Sequence, residues 1–210
     1  MRFGSSKADP AKPGASPAPL ARHSSGFEQF CGALRNSESQ SILDMSGASQ
    51  ANISFITGLG HRISSDDITG TMEECFGRDF VEGQQAAANA QRFIDQTLTF
   101  ADHSFDGALV WDSLQYLVSP LLDQTVAQLL RVMRPGGLIL AFFNADEKAT
   151  RIPVYNYRIQ DQKTLLQIPR GGTQRAQHFP NRSIEKLFQQ AASLKFFLTR
   201  DSLREVIVRR

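Results

Sequence analysis

The chain has 210 residues, 41% of them hydrophobic and 21% charged, enough for one domain of ordinary size around a buried core. Its formal net charge of +2 gives no general argument for nucleic acid or an anionic membrane surface, and no apolar run approaches the roughly 20 residues that span a bilayer. Two cysteines, Cys31 and Cys75, and four histidines, His23, His61, His103 and His178, lie scattered without metal-ligand or Cys-x-x-Cys spacing, which points to a cytoplasmic protein with free thiols and no metal.

Residues 1–25 read as a disordered tail. Pro10, Pro13, Pro17 and Pro19 sit among Ala, Ser and Gly, with too little apolar surface to offset the entropy of ordering and no apolar stretch of a secretory signal. Residues 26–210 are expected to form one domain. Phe27, Phe30, Cys31 and Leu34 recur at spacings of three and four, which predicts a short packing helix.

From Ser41 onward strands and helices alternate. A strand over 41–45 runs into a helix over 49–58, which Gly58 and Gly60 stop. A strand over 62–66 precedes helical segments between 71 and 93, and 98–100 predicts a short third strand. A fourth strand covers 107–111, a helix covers 120–134, and the turn Arg134, Pro135, Gly136, Gly137 leads into a fifth strand over 138–143. Continuous apolar strands alternating with helices indicate a parallel sheet covered on both faces.

The last third has a different pattern. An extra hairpin is expected at about 154–168, with arms over 155–159 and 164–168. A helix over 183–192 places Ile184, Leu187, Phe188 and Ala191 on one face, and two strands, 194–199 and 204–209, close the chain. Arg170, Arg175, Arg182 and Lys186 stand near Gly171, Gly172, His178 and Asn181; this set reads either as a grip for an anionic ligand or as a solvated loop and helix face.

Four segments carry a resemblance. Asp44, Met45, Ser46, Gly47, Ala48, Ser49 and Gln50 follow the first strand; residues 60–67 end a second strand in Asp66 and Asp67. Residues 102–117 place Phe105 and Asp106 before a strand ending at Trp111 and Asp112, and residues 129–140 place Arg134, Pro135, Gly136 and Gly137 before another. In this order the segments resemble class I S-adenosylmethionine-dependent methyltransferases of the small-molecule type, over 41–145 and, in topology, over 181–210.

The resemblance implies an α/β Rossmann-like three-layer sandwich, with a mostly parallel seven-stranded sheet and an antiparallel C-terminal strand. It implies S-adenosylmethionine as cofactor, held by Asp44, Ser46, Gly47, Ala48, Asp67, Trp111 and Asp112, where strand ends gather ligands at the switch point. Ser46, Ala48 and Gln50 replace the family's glycines; each would cost ~1–2 kcal/mol if driven into a left-handed conformation. Asp67 fits the slot that accepts both ribose hydroxyls, or is a helix N-terminal Asp, while Asp66 points to the opposite face. Asp95 lies near the adenine-binding position, and Phe93 and Phe100 serve as its wall or as core.

No catalytic constellation is visible, and methyl transfer can rest on positioning. The extra hairpin falls where it would cover the acceptor site. Methyl transfer to a small-molecule acceptor is the leading reading. A catalytically silent methyltransferase-like protein that binds a protein partner is the alternative, and a nucleic-acid or phospholigand binder the weaker one.

Overall fold

The structure, a computed structural model, describes residues 18–199 and 202–210. The chain runs β1 (Leu20–His23), α1 (Ser25–Arg35), β2 (Ser41–Asp44), α2 (Gln50–Gly58), β3 (Arg62–Ser65) and α3 (Ile68–Phe76). It continues through α4 (Phe80–Gly83), α5 (Ala87–Gln96), β4 (Phe105–Trp111), a 3-10 turn (Ser113–Tyr116), α6 (Leu121–Val132) and β5 (Met133–Asn144). It ends with β6 (Arg151–Ile159), β7 (Thr164–Arg175), α7 (Asn181–Leu187), β8 (Ser193–Leu198) and β9 (Leu203–Arg209).

Among the described residues the strands form two sheets. The larger has six strands in the order β3-β2-β4-β5-β9-β8, with β3, β2, β4 and β5 parallel and β9 inserted antiparallel between β5 and β8. Its central strands β2, β4 and β5 are apolar on both faces, successive side chains pointing opposite ways. Leu43, Ala108 and Ile139 bury against the layer of α3, α5 and α6, whereas Ile42, Leu109 and Leu140 bury with Phe27, Phe30 and Leu34 of α1. This is the expected three-layer α/β sandwich, with the C-terminal strand antiparallel as expected.

The sheet has six strands and not the seven expected. Residues 98–100 do not pair as a third strand. The Leu98 and Phe100 carbonyls accept from the Arg131 guanidinium at 3.0 and 2.9 Å, and the Leu98 amide donates to Asp66 at 2.9 Å. Side chains thus satisfy the backbone groups that a sheet partner would have taken.

The extra hairpin is longer than expected and is not alone. β6 and β7 pair from Arg151↔Arg175 to Ile159↔Leu165, and β1 adds to β7 from Leu20↔Gln167 to His23↔Thr164, giving a three-stranded antiparallel sheet. Leu20–His23 therefore belong to the fold, although they fall within the expected tail; residues 1–17 of that tail lie outside the described residues. Arg22 is buried against Glu205 at 2.9 Å, and the same carboxylate accepts from the Gly26 amide at 2.6 Å, so β1, α1 and β9 meet at one acidic group.

Helix α1 forms as expected. Ser24 caps it by accepting from the Phe27 amide at 3.1 Å, and Phe27, Phe30, Cys31 and Leu34 are its buried stripe. The Phe30 ring crosses β4 at Gly107, where an added Cβ would stand 2.9 Å from both the ring and Ile42. Gly107→Val should lower stability by ~1–3 kcal/mol through overpacking, read from urea unfolding. Gly32→Ala, on the same helix with open space around it, should raise stability by roughly 0.5–1 kcal/mol.

Candidate functional site

The C-terminal ends of β3, β2 and β4 lie side by side, and the expected site residues collect there. The loop after β2 is tied to the end of β3: Ser46 and Asp67 form an isolated antiparallel bridge, and the Gly47 amide donates to the Asp66 carbonyl at 3.3 Å. Gly47 has φ +81°, and a Cβ there would lie 3.1 Å from Cβ of Asp67. Ser46, Ala48 and Gln50 are not among the residues with positive φ, so the anticipated left-handed penalty does not arise along this path. Gln50 opens α2, its side chain exposed and donating to Ser54 at 3.0 Å. Ala48 is exposed at the loop tip.

Asp44 is completely buried and holds the floor of the site together. Its carboxylate accepts from Trp111 Nε1 at 2.7 Å, Asn52 Nδ2 at 2.6 Å, and Ser46 through its hydroxyl at 2.9 Å and its amide at 3.1 Å. Burial pushes its pKa up, and these donors pull it back. Trp111 ends β4 at φ +56°, a left-handed turn that swings the indole toward Asp44. A bulky residue there carries strain of ~1–3 kcal/mol, which the hydrogen bond and close packing offset.

The small sheet lies over this floor. Tyr157 of β6 stacks on Trp111 with ring centroids 5.1 Å apart and planes 2° from parallel. Asn52, in the first turn of α2, donates to the Tyr157 carbonyl at 3.1 Å and accepts from the Ile159 amide at 2.8 Å. Thus Asn52 grips both Asp44 below and the edge of β6 above.

Asp67 is the N-cap of α3, accepting from the Gly70 amide at 2.9 Å. The same Oδ1 accepts from Arg170 of β7 at 3.1 Å, and Arg170 also forks onto Glu73 at 3.2 and 3.0 Å and donates to Asn156 at 2.9 Å. Burial works against the Arg170 charge, but the hydrogen bond to Glu73 and the fields of Asp67 and Glu73 outweigh it and hold its pKa above the ordinary value. Arg170 therefore faces two carboxylates of its own chain. Oδ2 of Asp67 takes no hydrogen bond from the described residues, and the carboxylate packs against Gly47 and Gly70, where an added Cβ would come within 3.4 and 2.6 Å of Oδ2.

Asp112, the next residue after Trp111, is buried and accepts from the Tyr116 hydroxyl at 2.7 Å. Burial pushes its pKa up to about 7 against hydrogen bonds from Tyr116 and Tyr157. It borders a cavity of about 200 Å³ that Arg22, Gln115, Tyr155, Tyr157 and Gln167 also line. This cavity lies between the two sheets, where the hairpin was expected to cover an acceptor.

The structure thus gathers Asp44, Ser46, Gly47, Ala48, Asp67, Trp111 and Asp112 at one end of the sheet. It does not gather the residues considered for adenine: Asp95 is exposed and accepts from Gln91, Phe93 packs on Phe76 in the core, and Phe100 meets Phe105 edge-on. Asn52 and Tyr157 were missed as site residues, and Arg170, considered as part of a grip for an anionic ligand, holds Asp67 and Glu73. Asn52 carries a signal in hindsight, an amide within an otherwise apolar helix face, whereas Tyr157 stands 46 residues beyond Trp111 and Arg170 103 residues beyond Asp67.

Residues 43–141 match a family model described as a methyltransferase domain. No curated protein matches the chain significantly. Among solved structures it is similar to a SAM-dependent methyltransferase from Methanosarcina mazei, at 17% identity over 83% of this chain and 93% of that one, TM-score 0.49. It is also similar to a 1,6-didemethyltoxoflavin-N1-methyltransferase from Burkholderia thailandensis, with bound 1,6-didemethyltoxoflavin and S-adenosylhomocysteine. That match has 13% identity over 89% and 78% of the two chains and a TM-score of 0.48. A third is the glycopeptide N-methyltransferase MtfA complexed with S-adenosylhomocysteine, at 14% identity over 88% of each chain, TM-score 0.48.

The Asp112 carboxyl gives this site a pH signature. Its pKa is higher in the folded state, about 7 against an ordinary 3.8, so the unfolded chain releases the proton first as pH rises. Its contribution thus weakens the fold between about pH 4 and 7, is absent below that window and is complete above it. Asp112→Asn abolishes this titration while keeping an acceptor for Tyr116. The stability difference, mutant minus wild type, should grow across the window at ~1.4 kcal/mol per pH unit at most, measured by urea unfolding at pH 4.5 and 7.5.

Proposed function

We propose that the chain is a class I methyltransferase, a reading supported by the methyltransferase-domain match over residues 43–141, and that it transfers a methyl group from S-adenosylmethionine to a small-molecule acceptor. The observation that carries this reading is the convergence of the loop after β2, Asp67 and the Trp111–Asp112 corner on the ends of three adjacent parallel strands, the crevice where open α/β sheets take ligands. Asp67 suits the ribose because its side chain is 46% exposed and its Oδ2 takes no hydrogen bond from the described residues. Ser46, Gly47 and Ala48 are small enough for close approach to the loop backbone. At the end of β4, the Trp111–Tyr157 stack occupies the crevice, so binding requires the small sheet to lift.

The cofactor supplies an electrophilic methyl group on a sulfonium, so the chain's part is to position, desolvate and remove a proton. Asp67 would anchor the ribose, and the sheet of β1, β7 and β6 would exclude water when closed. Asp112, with a pKa raised toward neutrality and a wall of the 200 Å³ cavity, can accept a proton from an acceptor hydroxyl or amine.

A second reading, a catalytically silent relative, is favoured by one observation: both Asp44 oxygens are bonded internally and the crevice above is filled by Tyr157. Calorimetry separates the two. The enzyme reading expects saturable heat with S-adenosylmethionine and S-adenosylhomocysteine, weakened about tenfold or more in Asp67→Ala. Absence of heat at millimolar ligand would leave the silent reading standing. Unchanged affinity in Asp67→Ala would refute the ribose assignment alone.

A further inference from the structure

We propose that Arg170 is a built-in competitor of the cofactor for Asp67, and that through it the β1-β7-β6 sheet is latched over the crevice. The proposal rests on the ribose role given to Asp67 above. The latch itself is visible without it. Arg170 of β7 reaches across from the small sheet to Asp67 and Glu73, the N-cap and last-turn side of α3, through three N–H···O contacts between 3.0 and 3.2 Å. The guanidinium side chain is only 14% exposed, while both carboxylates are 46% exposed. The cation is therefore held inside and its partners face water, the arrangement of a clasp that ions or a ligand can reach from outside.

The chemistry of competition follows from atom types. Arginine is all donor, and so is the hydroxyl pair of a ribose toward a carboxylate; both seek the acceptor oxygens of Asp67. Arg170 already holds Oδ1. A bidentate ribose needs both oxygens, so it must displace Arg170 or share with it. Once Arg170 withdraws, the charges of Glu73 and the ribose-bound Asp67 are no longer offset by its cation, a field that favours the cationic sulfonium.

Arg170 does not act on Asp67 alone. Its neighbour Asn156 precedes Tyr157, the residue stacked on Trp111, and Arg170 bonds Asn156 at 2.9 Å. Release of the guanidinium thus loosens the β6 segment that fills the crevice. The closed population lowers apparent affinity by the fraction of molecules that are open, and removing the latch raises that fraction.

Two measurements test this. Trp111 is the single tryptophan of the chain and is 1% exposed under Tyr157, so acrylamide quenching of its fluorescence reports lid opening without any ligand. Arg170→Ala should raise the quenching constant at least about twofold, with the circular dichroism spectrum retained. In the wild type, raising NaCl from roughly 0.05 to 0.5 M should move quenching the same way, because a half-exposed ion pair is screened. This arm needs no variant to fold. Quenching unchanged by salt and by Arg170→Ala would overturn the latch.

The second measurement is calorimetry with S-adenosylhomocysteine. Arg170→Ala should bind at least about fivefold tighter than wild type; equal or weaker binding, where the wild type binds, would overturn the competition. Glu73→Gln, which keeps Asp67 intact and removes the fork, should tighten binding in the same direction. If neither wild type nor variant binds while Trp111 becomes quenchable in Arg170→Ala, the methyltransferase reading fails and the latch stands.

Discussion

A carboxylate buried at the end of a strand must be satisfied completely, and the way Asp44 is satisfied determines the rest of this site. An unpaired buried charge is costly by several kcal/mol, whereas one that collects several donors is tolerated. Asp44 collects them from its own loop (Ser46), from the next helix (Asn52) and from the neighbouring strand (Trp111). Each donor is held in place by this demand. Trp111 turns left-handed to deliver its indole N–H, Ser46 folds back beside β2, and Asn52 is drawn into the floor. The indole so placed presents its face upward, and Tyr157 covers it.

The glycine substitutions of the loop take on a different meaning in this setting. At position 46 a glycine would allow closer backbone approach but would provide no hydroxyl; Ser46 supplies one of the hydrogen bonds that Asp44 accepts. At position 50 the side chain points into solvent and does not obstruct the loop. The positive φ that the turn needs falls on Gly47, the one glycine retained between Ser46 and Ala48. The loop is thus consistent with itself at every position, and its departure from the family pattern is matched by an internal hydrogen-bonding scheme that fixes the floor of the crevice.

Where physical signals were local, the sequence was readable. The apolar runs of β2, β4 and β5, the i, i+3, i+4 stripe of α1 and the small-residue loop each declare themselves within ten residues, and each formed. The failures share a cause. Residues 98–100 have strand-like composition, but whether they pair was decided by Arg131, thirty residues on in α6, which takes their carbonyls. Leu20–His23 have tail-like composition, yet β7 offers an edge and the fully buried Glu205 a partner for Arg22. In the site, the floor residues stood out in the sequence because the resemblance points to the segments that carry them. The cover could not be recognised: Tyr157 did not stand out and Arg170 stood out only as part of a basic set, because nothing near them in the chain states what lies beneath.

The division between floor and cover also follows from the hydrogen bonds. If the β6 segment over Trp111 lifts, Asp44 keeps Trp111, Ser46 and the Asn52 amide nitrogen, so this buried carboxylate loses none of its side-chain donors, while the Arg22–Glu205 pair keeps β1 tied to the large sheet. What parts is the contact of Asn52 with the β6 backbone, the Trp111–Tyr157 stack and the Arg170 clasp. The first and last become hydrated as they part, which limits the net loss to ~1 kcal/mol or so for each hydrogen bond. The stack, worth ~0.5–1.5 kcal/mol beyond its buried area, gives up apolar surface to water. A ligand entering the crevice with an apolar face of its own can replace that surface. Opening is therefore set by the cover's own contacts, while the buried carboxylate that shapes the floor stays fully bonded in either state.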